Sequence, residues 1–453
     1  MFRKVRTGID LLNDPVDSSL RNFAIPMAFS FLVNMLYSLI DRYYASRLGD
    51  GAIAAIGASD QVTFFIFTLA SGFAVGTGII VARRFGEGQH EEAGRTAAQA
   101  LGGMISISLI ITAIMYVMMP HIPSIMQMEP EVAGMAIAYM STLYIGFTAN
   151  LVNFQLFSVV RSTGNPVFPT VVLVTTTILN AALAPFLIFG VGPFPAMGLA
   201  GAGLATALSQ MSGTAIAMWA ILSGKTTIHF KFDRFKPDFE LLWRVVKLGL
   251  PASLQMLSVS INRAIIFVMV GGYGTSVIAA YTLGLNVDMF VFMSVFAVGV
   301  SVEVATGQNL GAGKHDRVSA YHRSGMKQTG ILMIMLALAV WFVGGPFIEL
   351  YTSNAATVKQ AMLYLHTTVF GYIFFAIGIV TVRSISGAGA AFTSMFITAG
   401  CLLGFQLPSS YVLSHVLDWG PQGVWIGLLS GYIVFAAIAL LVHRSNSWRG
   451  LHV

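Results

Sequence analysis

The sequence predicts an all-α integral membrane protein with twelve transmembrane helices, arranged as two pseudo-symmetric six-helix lobes around a central cavity. Three observations lead to this fold class: the composition, the spacing of the apolar segments and an internal repeat. Of the 453 residues, 56% are hydrophobic and only 10% are charged, and the mean hydropathy is +0.77. Such a chain is too apolar for an ordinary water-soluble protein and suits a lipid bilayer.

Apolar segments long enough to cross a bilayer, which takes about 20 residues, occur twelve times. Hydropathy places them near residues 22–45, 52–82, 94–119, 131–158, 168–191, 195–222, 245–271, 275–305, 324–346, 359–385, 390–415 and 421–443. These spans leave room only for short loops and tails. The sequence therefore excludes a large soluble domain.

The basic residues indicate the orientation of these spans. Of the 25 lysines and arginines, 21 fall on the side that holds the N-terminus. The positive-inside rule then predicts a multi-pass protein of the inner (plasma) membrane, with both termini and the central loop in the cytoplasm. The first 21 residues lack an apolar core, so we do not expect a cleavable signal peptide.

The second half of the sequence repeats the first at an offset of 222 to 225 residues. The matched pairs are Pro26 with Pro251, Gly49 with Gly274, Arg161 and Gly164 with Arg383 and Gly387, Pro185 with Pro408, and Gly198 with Gly420. Six spans in each half give both halves the same orientation, which is a parallel repeat. We expect an N-terminal lobe at 1–222, a cytoplasmic linker at 223–244 and a C-terminal lobe at 245–453. Duplicated bundles of this kind favour transport by alternating access, with a stabilised membrane scaffold as the alternative.

Four segments resemble those of a known family. They are LYSLID at 36–41 leading into RLG at 47–49, RSTGNP at 161–166, GAGLAT at 201–206 and GQNLGAGK at 307–314. In this order, and over nearly the whole chain, they resemble the multidrug and toxic compound extrusion (MATE) family, closest to its bacterial branch with a cation-coupling Asp in the first lobe. The resemblance implies a secondary active exporter that exchanges cationic amphipathic compounds for inward-moving protons, with sodium as the less favoured ion. It implies neither a cofactor nor a catalytic site.

Acidic residues inside predicted spans are the first candidates for function, because an ionised carboxylate in hydrocarbon costs several kcal/mol. Asp41 is the strongest candidate, since the repeat places Ile266 opposite it and so gives one lobe an acid where the other has a hydrocarbon. The alternative is a structural ion pair with the neighbouring Arg42. The resemblance implies that Asp41 is the carboxylate that responds to protons or sodium and for which a cationic drug competes.

The resemblance also implies partners for Asp41 in a first-lobe cation site. Such a site uses an Asn in span 5, an acid four residues later and a Thr in span 6. Asn180 and Thr206 match, but Ala184 stands at the position of the acid. Sodium prefers several oxygen ligands, so the missing carboxylate favours proton coupling, and sodium bound by Asp41, Asn180 and Thr206 remains the alternative.

Three further polar residues are weaker candidates for contact with the substrate. Asn153 lies in an unusually polar span 4, where amides either line a cavity or join helices. Asp288 and Glu303 lie in span 8, and the alternative for both acids is pairing with Arg263 or with an interfacial water.

The remaining polar residues and one proline within spans have other expected roles. Asp60 lies nearer the outer surface and is expected to be solvated, and His366 is expected to take part in hydrogen-bonded packing. Pro26, fifteen residues before Asp41, is a candidate hinge because proline interrupts the hydrogen bonds of a helix.

Two other classes of protein remain to be weighed. An enzyme is not expected, since HEE at 90–92 lacks the second His of a zinc helix and GQNLGAGK lacks the spacing of a phosphate loop. A flippase of lipid-linked substrates is the nearest rival within the same broad superfamily. The expected partners are cationic drugs or dyes and membrane lipids, without nucleic acid, and one chain is expected to act as a monomer.

Overall fold

The computed structural model describes residues 8–190, 195–230, 236–445 and 448, and within these ranges every regular element is helical. Twelve helical segments are long and apolar enough to cross a bilayer, which confirms the predicted number of spans. In chain order, spans 1 to 12 are Val16–Ser46, Asp50–Gly86, His90–Ile125, Pro130–Ser162, Val167–Phe189, Leu199–Leu222, Phe239–Gly271, Thr275–Gly311, His315–Glu349, Ala355–Gly387, Ala391–Val416 and Pro421–Arg444. The predicted end of span 5 at residue 191 lies outside the described residues, as do parts of both predicted tails and of the predicted linker.

Most helices extend beyond the apolar segments that predict them. Spans 2 and 8 each contain 37 residues, which at 1.5 Å per residue is about 55 Å and exceeds the hydrocarbon thickness of about 30 Å. A hydropathy profile predicts the end of a span at the point where polar residues begin. The backbone hydrogen bonds of the helix continue past that point.

Helical irregularities recur at matched positions in the two halves. Span 4 contains a 3-10 turn at Tyr144–Gly146, and span 10 contains one at Val369–Gly371, which lies 225 residues later in the sequence. Gly49 and Gly274, which precede spans 2 and 8, have φ angles of 104° and 99°. Such positive φ values favour glycine because it lacks a Cβ atom. The repeat in the sequence is therefore also a repeat of backbone conformation.

One pair in the sequence alignment requires a correction. Gly164, two residues after the end of span 4, has a φ of 89°, and its counterpart two residues after the end of span 10 is Gly389, with a φ of 94°. Gly387 instead ends span 10 itself. The alignment paired Gly164 with Gly387 because the offset between the halves shortens only after this point, and Gly387 lies two residues before Gly389.

The chain divides into two compact units, which do not end at the predicted lobe boundaries. The first contains the described residues up to Asp10 together with Ile25–Ser253, and the second contains Leu11–Ala24 and the chain from Leu254 onward. Spans 1 and 7 are thus each shared between the units. Both divisions fall close to the matched prolines Pro26 and Pro251.

Small residues bring spans 2 and 7 together within the first unit. A Cβ atom added to Gly249 would collide with the carbonyl oxygen of Gly72, and one added to Gly76 would collide with the carbonyl oxygen of Val245. Ser253 also donates its hydroxyl hydrogen to the carbonyl oxygen of Leu69 at 2.8 Å. Small residues spaced in this way allow helix backbones to approach closely in membranes.

Within the second unit, the GQNLGAGK segment at 307–314 forms hydrogen bonds with the residues that precede span 1. Asn309 Nδ2 donates to the carbonyl oxygen of Leu11 at 3.1 Å, and Lys314 Nζ donates to the carbonyl oxygen of Leu12 at 3.0 Å. Arg317 adds a hydrogen bond to the carbonyl oxygen of Asp14 at 2.7 Å. This motif therefore has a structural explanation in addition to its family resemblance.

Candidate functional site

The structure brings the three predicted coupling residues together within the first unit. Asp41 lies on span 1, Asn180 on span 5 and Thr206 on span 6. Thr206 Oγ1 donates to Asp41 Oδ2 at 3.4 Å, and Asn180 Nδ2 donates to Thr206 Oγ1 at 3.2 Å. Both distances are at or beyond the long end of the usual hydrogen-bond range. The carboxylate thus accepts a hydrogen bond from span 6, and Thr206 links it in turn to Asn180 on span 5.

Oxygen atoms without partners surround this carboxylate. Asp41 Oδ1, Asn180 Oδ1 and the Tyr37 hydroxyl are enclosed by protein and form no hydrogen bond with other described residues. Tyr37 lies one helical turn before Asp41 and near the Thr206 and Gln210 side chains. A buried polar atom without a partner costs about 1–3 kcal/mol. The group of oxygens is therefore suited to receive a proton or a small cation.

Sequence reasoning did not select Tyr37. The available signal was its spacing, because residues four apart share one face of a helix and Tyr37 stands four residues before Asp41 within the quoted LYSLID segment.

The alternative partner expected for Asp41 contacts a different acid. Arg42 NH2 lies 4.0 Å from Asp60 Oδ2, and both side chains are about half exposed, at 59% and 46%. Exposed pairs of this kind contribute little to stability. Asp41 itself is near Asp60 but pairs with no arginine among the described residues. The structural interpretation of Asp41 as the partner of Arg42 therefore does not fit the geometry.

Asn153 is occupied by contacts between helices. Its Nδ2 atom donates to the Gln210 carbonyl oxygen at 2.9 Å and to Gln210 Oε1 at 3.0 Å, and its Oδ1 accepts a hydrogen bond from Thr214 at 3.1 Å. The amide is 3% exposed. These contacts join spans 4 and 6 and favour the packing interpretation of Asn153.

Asp288 lies at the centre of a cluster of tyrosines in the second unit. Tyr364 donates to its Oδ2 atom at 2.5 Å, and Tyr372 donates to its Oδ1 atom at 2.8 Å. The residue is 1% exposed. Both carboxylate oxygens therefore already have donors, and the alternative ion pair with Arg263 is not formed within 4.0 Å.

Glu303 belongs to a different pair from the one that the sequence suggests. Arg383 NH1 on span 10 lies 3.1 Å from its Oε2 atom, and the Ser386 hydroxyl donates to Oε1 at 2.7 Å. The alternative pairing with Arg263 is not the one formed, because sequence distance cannot show that spans 8 and 10 meet at this level. An acid so fully paired is suited to a structural role.

His366 packs against the ring of Trp341, with 4.2 Å between the ring centroids. Its Nε2 atom is buried and has no hydrogen-bond partner among the described residues. The predicted packing role therefore rests on ring stacking. The structure shows no hydrogen bond to that nitrogen.

Metal-ligating side chains do not cluster in the part of the chain that the structure describes. No group of three or more His, Cys, Asp or Glu residues there is placed to hold a metal ion. A cation bound at Asp41 would thus rely on one carboxylate together with neutral oxygens.

Twelve spans, a parallel internal repeat and a carboxylate within a span, with unpartnered oxygens beside it, are together typical of secondary transporters. The sequence profile of the MatE family matches residues 26–186 and 251–412, one stretch in each half of the chain. The chain therefore belongs to the MatE family, and it is a MATE family transporter.

Individual relatives are distant but match from end to end. The probable multidrug resistance protein YoeA of Bacillus subtilis is 24% identical over 92% of this chain and 91% of its own length. The multidrug export protein MepA of Staphylococcus aureus is 22% identical over 94% of this chain and 93% of its own length. Among solved structures, the outward-facing conformation of a multidrug resistance MATE family transporter of the MOP superfamily has a TM-score of 0.89 at 24% identity, covering 97% of each chain. That likeness shows the fold.

Proposed function

We propose that this chain exports cationic amphipathic compounds across the inner membrane in exchange for protons that enter the cell. The observation that carries the proposal is Asp41, a carboxylate of span 1 whose Oδ1 atom is buried without a partner. Relatives named as multidrug resistance or multidrug export proteins cover more than nine-tenths of the chain. They support drugs or dyes as the class of substrate.

Asp41, Asn180 and Thr206 form the proposed coupling site. A proton taken up by Asp41 from the outer side converts an acceptor into a donor, which suits a site rich in oxygens without partners. Release of that proton towards the cytoplasm restores a negative charge, and a cationic substrate is attracted to the ionised form. Protons and substrate thus compete for one carboxylate, and this competition enforces exchange.

The oxygens at this site favour a proton over sodium. Sodium needs several oxygen ligands and benefits from more than one carboxylate. Ala184, buried at 1% exposure one turn after Asn180, adds no side-chain oxygen where the family places an acid. Asp41 alone is sufficient to carry a proton.

Pro26 is the proposed hinge of span 1. Its carbonyl oxygen accepts hydrogen bonds from the hydroxyls of Ser30, at 3.0 Å, and of Thr170, at 3.1 Å. The division of span 1 between the two compact units also falls beside this proline. Bending here would move Asp41 relative to spans 5 and 6 and so link protonation to the shape of the first lobe.

The remaining parts of the proposal concern topology and assembly. We place both termini in the cytoplasm, with an N-terminal lobe at 1–222, a linker at 223–244 and a C-terminal lobe at 245–453. One chain contains both halves of the repeat, so a monomer suffices for alternating access.

Efflux from proteoliposomes tests the proposed function. Purified protein is reconstituted with a fluorescent cationic dye, and a proton gradient and a sodium gradient are imposed separately. The proposal predicts dye movement with the proton gradient alone. Movement with sodium alone would overturn proton coupling, and indifference to both gradients would favour the flippase of lipid-linked substrates.

A further inference from the structure

A small cavity within the second unit has polar groups that the proposed function does not use. Its free volume is about 60 Å³, and it is lined by side chains from spans 7, 8, 10, 11 and 12. Since a single water molecule needs about 10–15 Å³ of such free volume, the cavity has room for a small ion together with some water. Binding sites for drug-sized molecules measure about 300–1,000 Å³, so this cavity does not hold a whole drug.

Hydrogen-bond donors converge on this cavity. Arg263 lines it from span 7, and its guanidinium carbon lies 5.3 Å from the centre of the Phe292 ring. Within the described part of the chain, Arg263 forms no hydrogen bond and no ion pair within 4.0 Å. A cation inside a membrane span without a counter-charge is costly. Asp288 acts electrostatically on Arg263 but lies beyond 4.0 Å, so the guanidinium has no direct ion-pair partner among the described residues.

Two tyrosine hydroxyls add to this excess of donors. Tyr281 and Tyr432 line the same cavity and are 2% and 8% exposed. Neither hydroxyl has a hydrogen-bond partner among the described residues, and neither oxygen is among those fully enclosed by protein. Both hydroxyls consequently open on to free space, which is the cavity that their side chains line.

The nearby acceptors are already engaged or face elsewhere. Both oxygens of Asp288 accept hydrogen bonds from Tyr364 and Tyr372. Gln406 Oε1 accepts from Asn262 Nδ2 at 2.9 Å, and Asn262 Oδ1 is fully enclosed, so it does not open on to the cavity. The cavity therefore presents one cationic group and two hydroxyl donors, and each side-chain acceptor named above either already accepts a hydrogen bond or is enclosed away from the cavity.

We propose that this cavity is a binding site for a small monovalent anion of the halide class, held by Arg263, Tyr281 and Tyr432. A halide accepts hydrogen bonds from all three groups and supplies the counter-charge of the guanidinium. The aromatic walls formed by Phe292, Phe296, Phe375 and Phe435 add no acceptor that would compete with it.

The charge of Asp288 controls the affinity of this site. Asp288 acts electrostatically on Tyr281 and Tyr432, as does Arg263, so all four groups share one electrostatic environment. The other titratable groups facing Asp288 are Tyr364 and Tyr372 on span 10. While Asp288 is ionised, its negative charge offsets the positive charge of Arg263 and weakens the binding of the anion. When Asp288 is protonated, the cavity carries a net positive charge and the anion binds more tightly.

Bromide replacement and thermal stability test this site. Crystals of the intact protein grown at low pH in sodium bromide are expected to show anomalous density in the cavity beside Arg263. The melting temperature of the purified protein is expected to rise when sodium gluconate is exchanged for sodium chloride at constant ionic strength, and Arg263→Gln is expected to abolish this rise.

Two further variants make the test specific. Asp288→Asn mimics the protonated acid, so its chloride affinity is expected to increase at least tenfold at neutral pH and to become independent of pH. Arg47→Gln is the matched control, because Arg47 also lies 5.3 Å from the centre of a tyrosine ring but is exposed in the first unit. It is expected to keep the full response to chloride. Absence of bromide density from the cavity, or an equal response to chloride in Arg263→Gln and wild type, would overturn the proposal.

Discussion

Thr206 on span 6 donates its hydroxyl hydrogen to Asp41 on span 1, and the same hydroxyl accepts a hydrogen bond from Asn180 on span 5. One side chain thus connects the proposed coupling carboxylate to two other helices. A change in the charge of Asp41 alters the strength of this link, because hydrogen bonds to charged groups are stronger than those to neutral ones. Local protonation can in this way affect the packing of three spans.

Replacement of Thr206 tests this connection. Thr206→Val keeps the shape of the side chain but removes both hydrogen bonds, of which the one to ionised Asp41 contributes about 1.5–3 kcal/mol. We expect proton-driven dye efflux from proteoliposomes to fall about tenfold. Thr206→Ser retains the hydroxyl and is the matched control, with efflux close to that of the wild type. Equal efflux for the Val and Ser variants would show that the hydroxyl is irrelevant.

Tyr37 allows function to be separated from stability. Its hydroxyl is buried without a partner near Asp41, so Tyr37→Phe removes an unsatisfied group and is not expected to lower the melting temperature. We expect the same variant to reduce proton-driven efflux, because the coupling site loses one of its oxygens. Tyr411→Phe, at an exposed tyrosine of span 11, serves as the control. Normal efflux by Tyr37→Phe would remove Tyr37 from the proposed site.

The hydroxyls around Asp288 are expected to stabilise the fold. Tyr364→Phe and Tyr372→Phe each leave one oxygen of a buried carboxylate without its donor, at a cost of about 1–3 kcal/mol. We therefore expect each variant to melt several degrees below the wild type in detergent. The double variant is expected to melt lower than either single variant. Wild-type melting of both single variants would mean that water replaces the tyrosines at no cost.

The contact between spans 2 and 7 is expected to tolerate no additional atoms. In Gly249→Ala the new Cβ atom meets the backbone oxygen of Gly72, which cannot rotate away as a side chain could. Overpacking of this kind costs about 1–3 kcal/mol, so the melting temperature should fall. Gly57→Ala, on span 2 with no atom within 4 Å of the new methyl group, is the control and should melt no lower than the wild type.

Glu303 and Arg383 are expected to depend on each other for stability. Their side chains are only 11% and 15% exposed, and breaking a buried pair from one side costs about 3–5 kcal/mol. Glu303→Gln should therefore lower the melting temperature strongly, and adding Arg383→Gln should recover part of the loss. Additive losses in the double variant would show that the two residues do not interact energetically.

The number of spans and the grouping of Asp41, Asn180 and Thr206 could be predicted, but for different reasons. Apolar length alone determines whether a segment can cross a bilayer, so hydropathy gives the number of spans correctly. Helix ends depend on backbone hydrogen bonds beyond the apolar core, so span 8 continues to Gly311 where hydropathy predicts an end at 305. The grouping of the three coupling residues could be predicted because the family resemblance assigned them to one site.

Contacts between distant helices could not be predicted. The sequence offered Arg263 or a water as the alternative partner of Glu303, but Arg383 is its partner because spans 8 and 10 pack together in the second unit. From the sequence, Asn153 is a candidate for substrate contact. In the structure, its amide forms hydrogen bonds with Gln210 and Thr214. A polar residue within a span can serve function or packing equally well, and only its neighbours distinguish the two.

Proton release on substrate binding tests the central claim most directly. A cationic dye is added to purified protein in weakly buffered detergent solution, and the protons released are counted against the dye that binds. We expect the wild type and Asp60→Asn to release roughly one proton for each bound dye, and Asp41→Asn to release none. Undiminished release from Asp41→Asn, or dye binding to the wild type without any release, would contradict the claim that substrate and proton compete for Asp41.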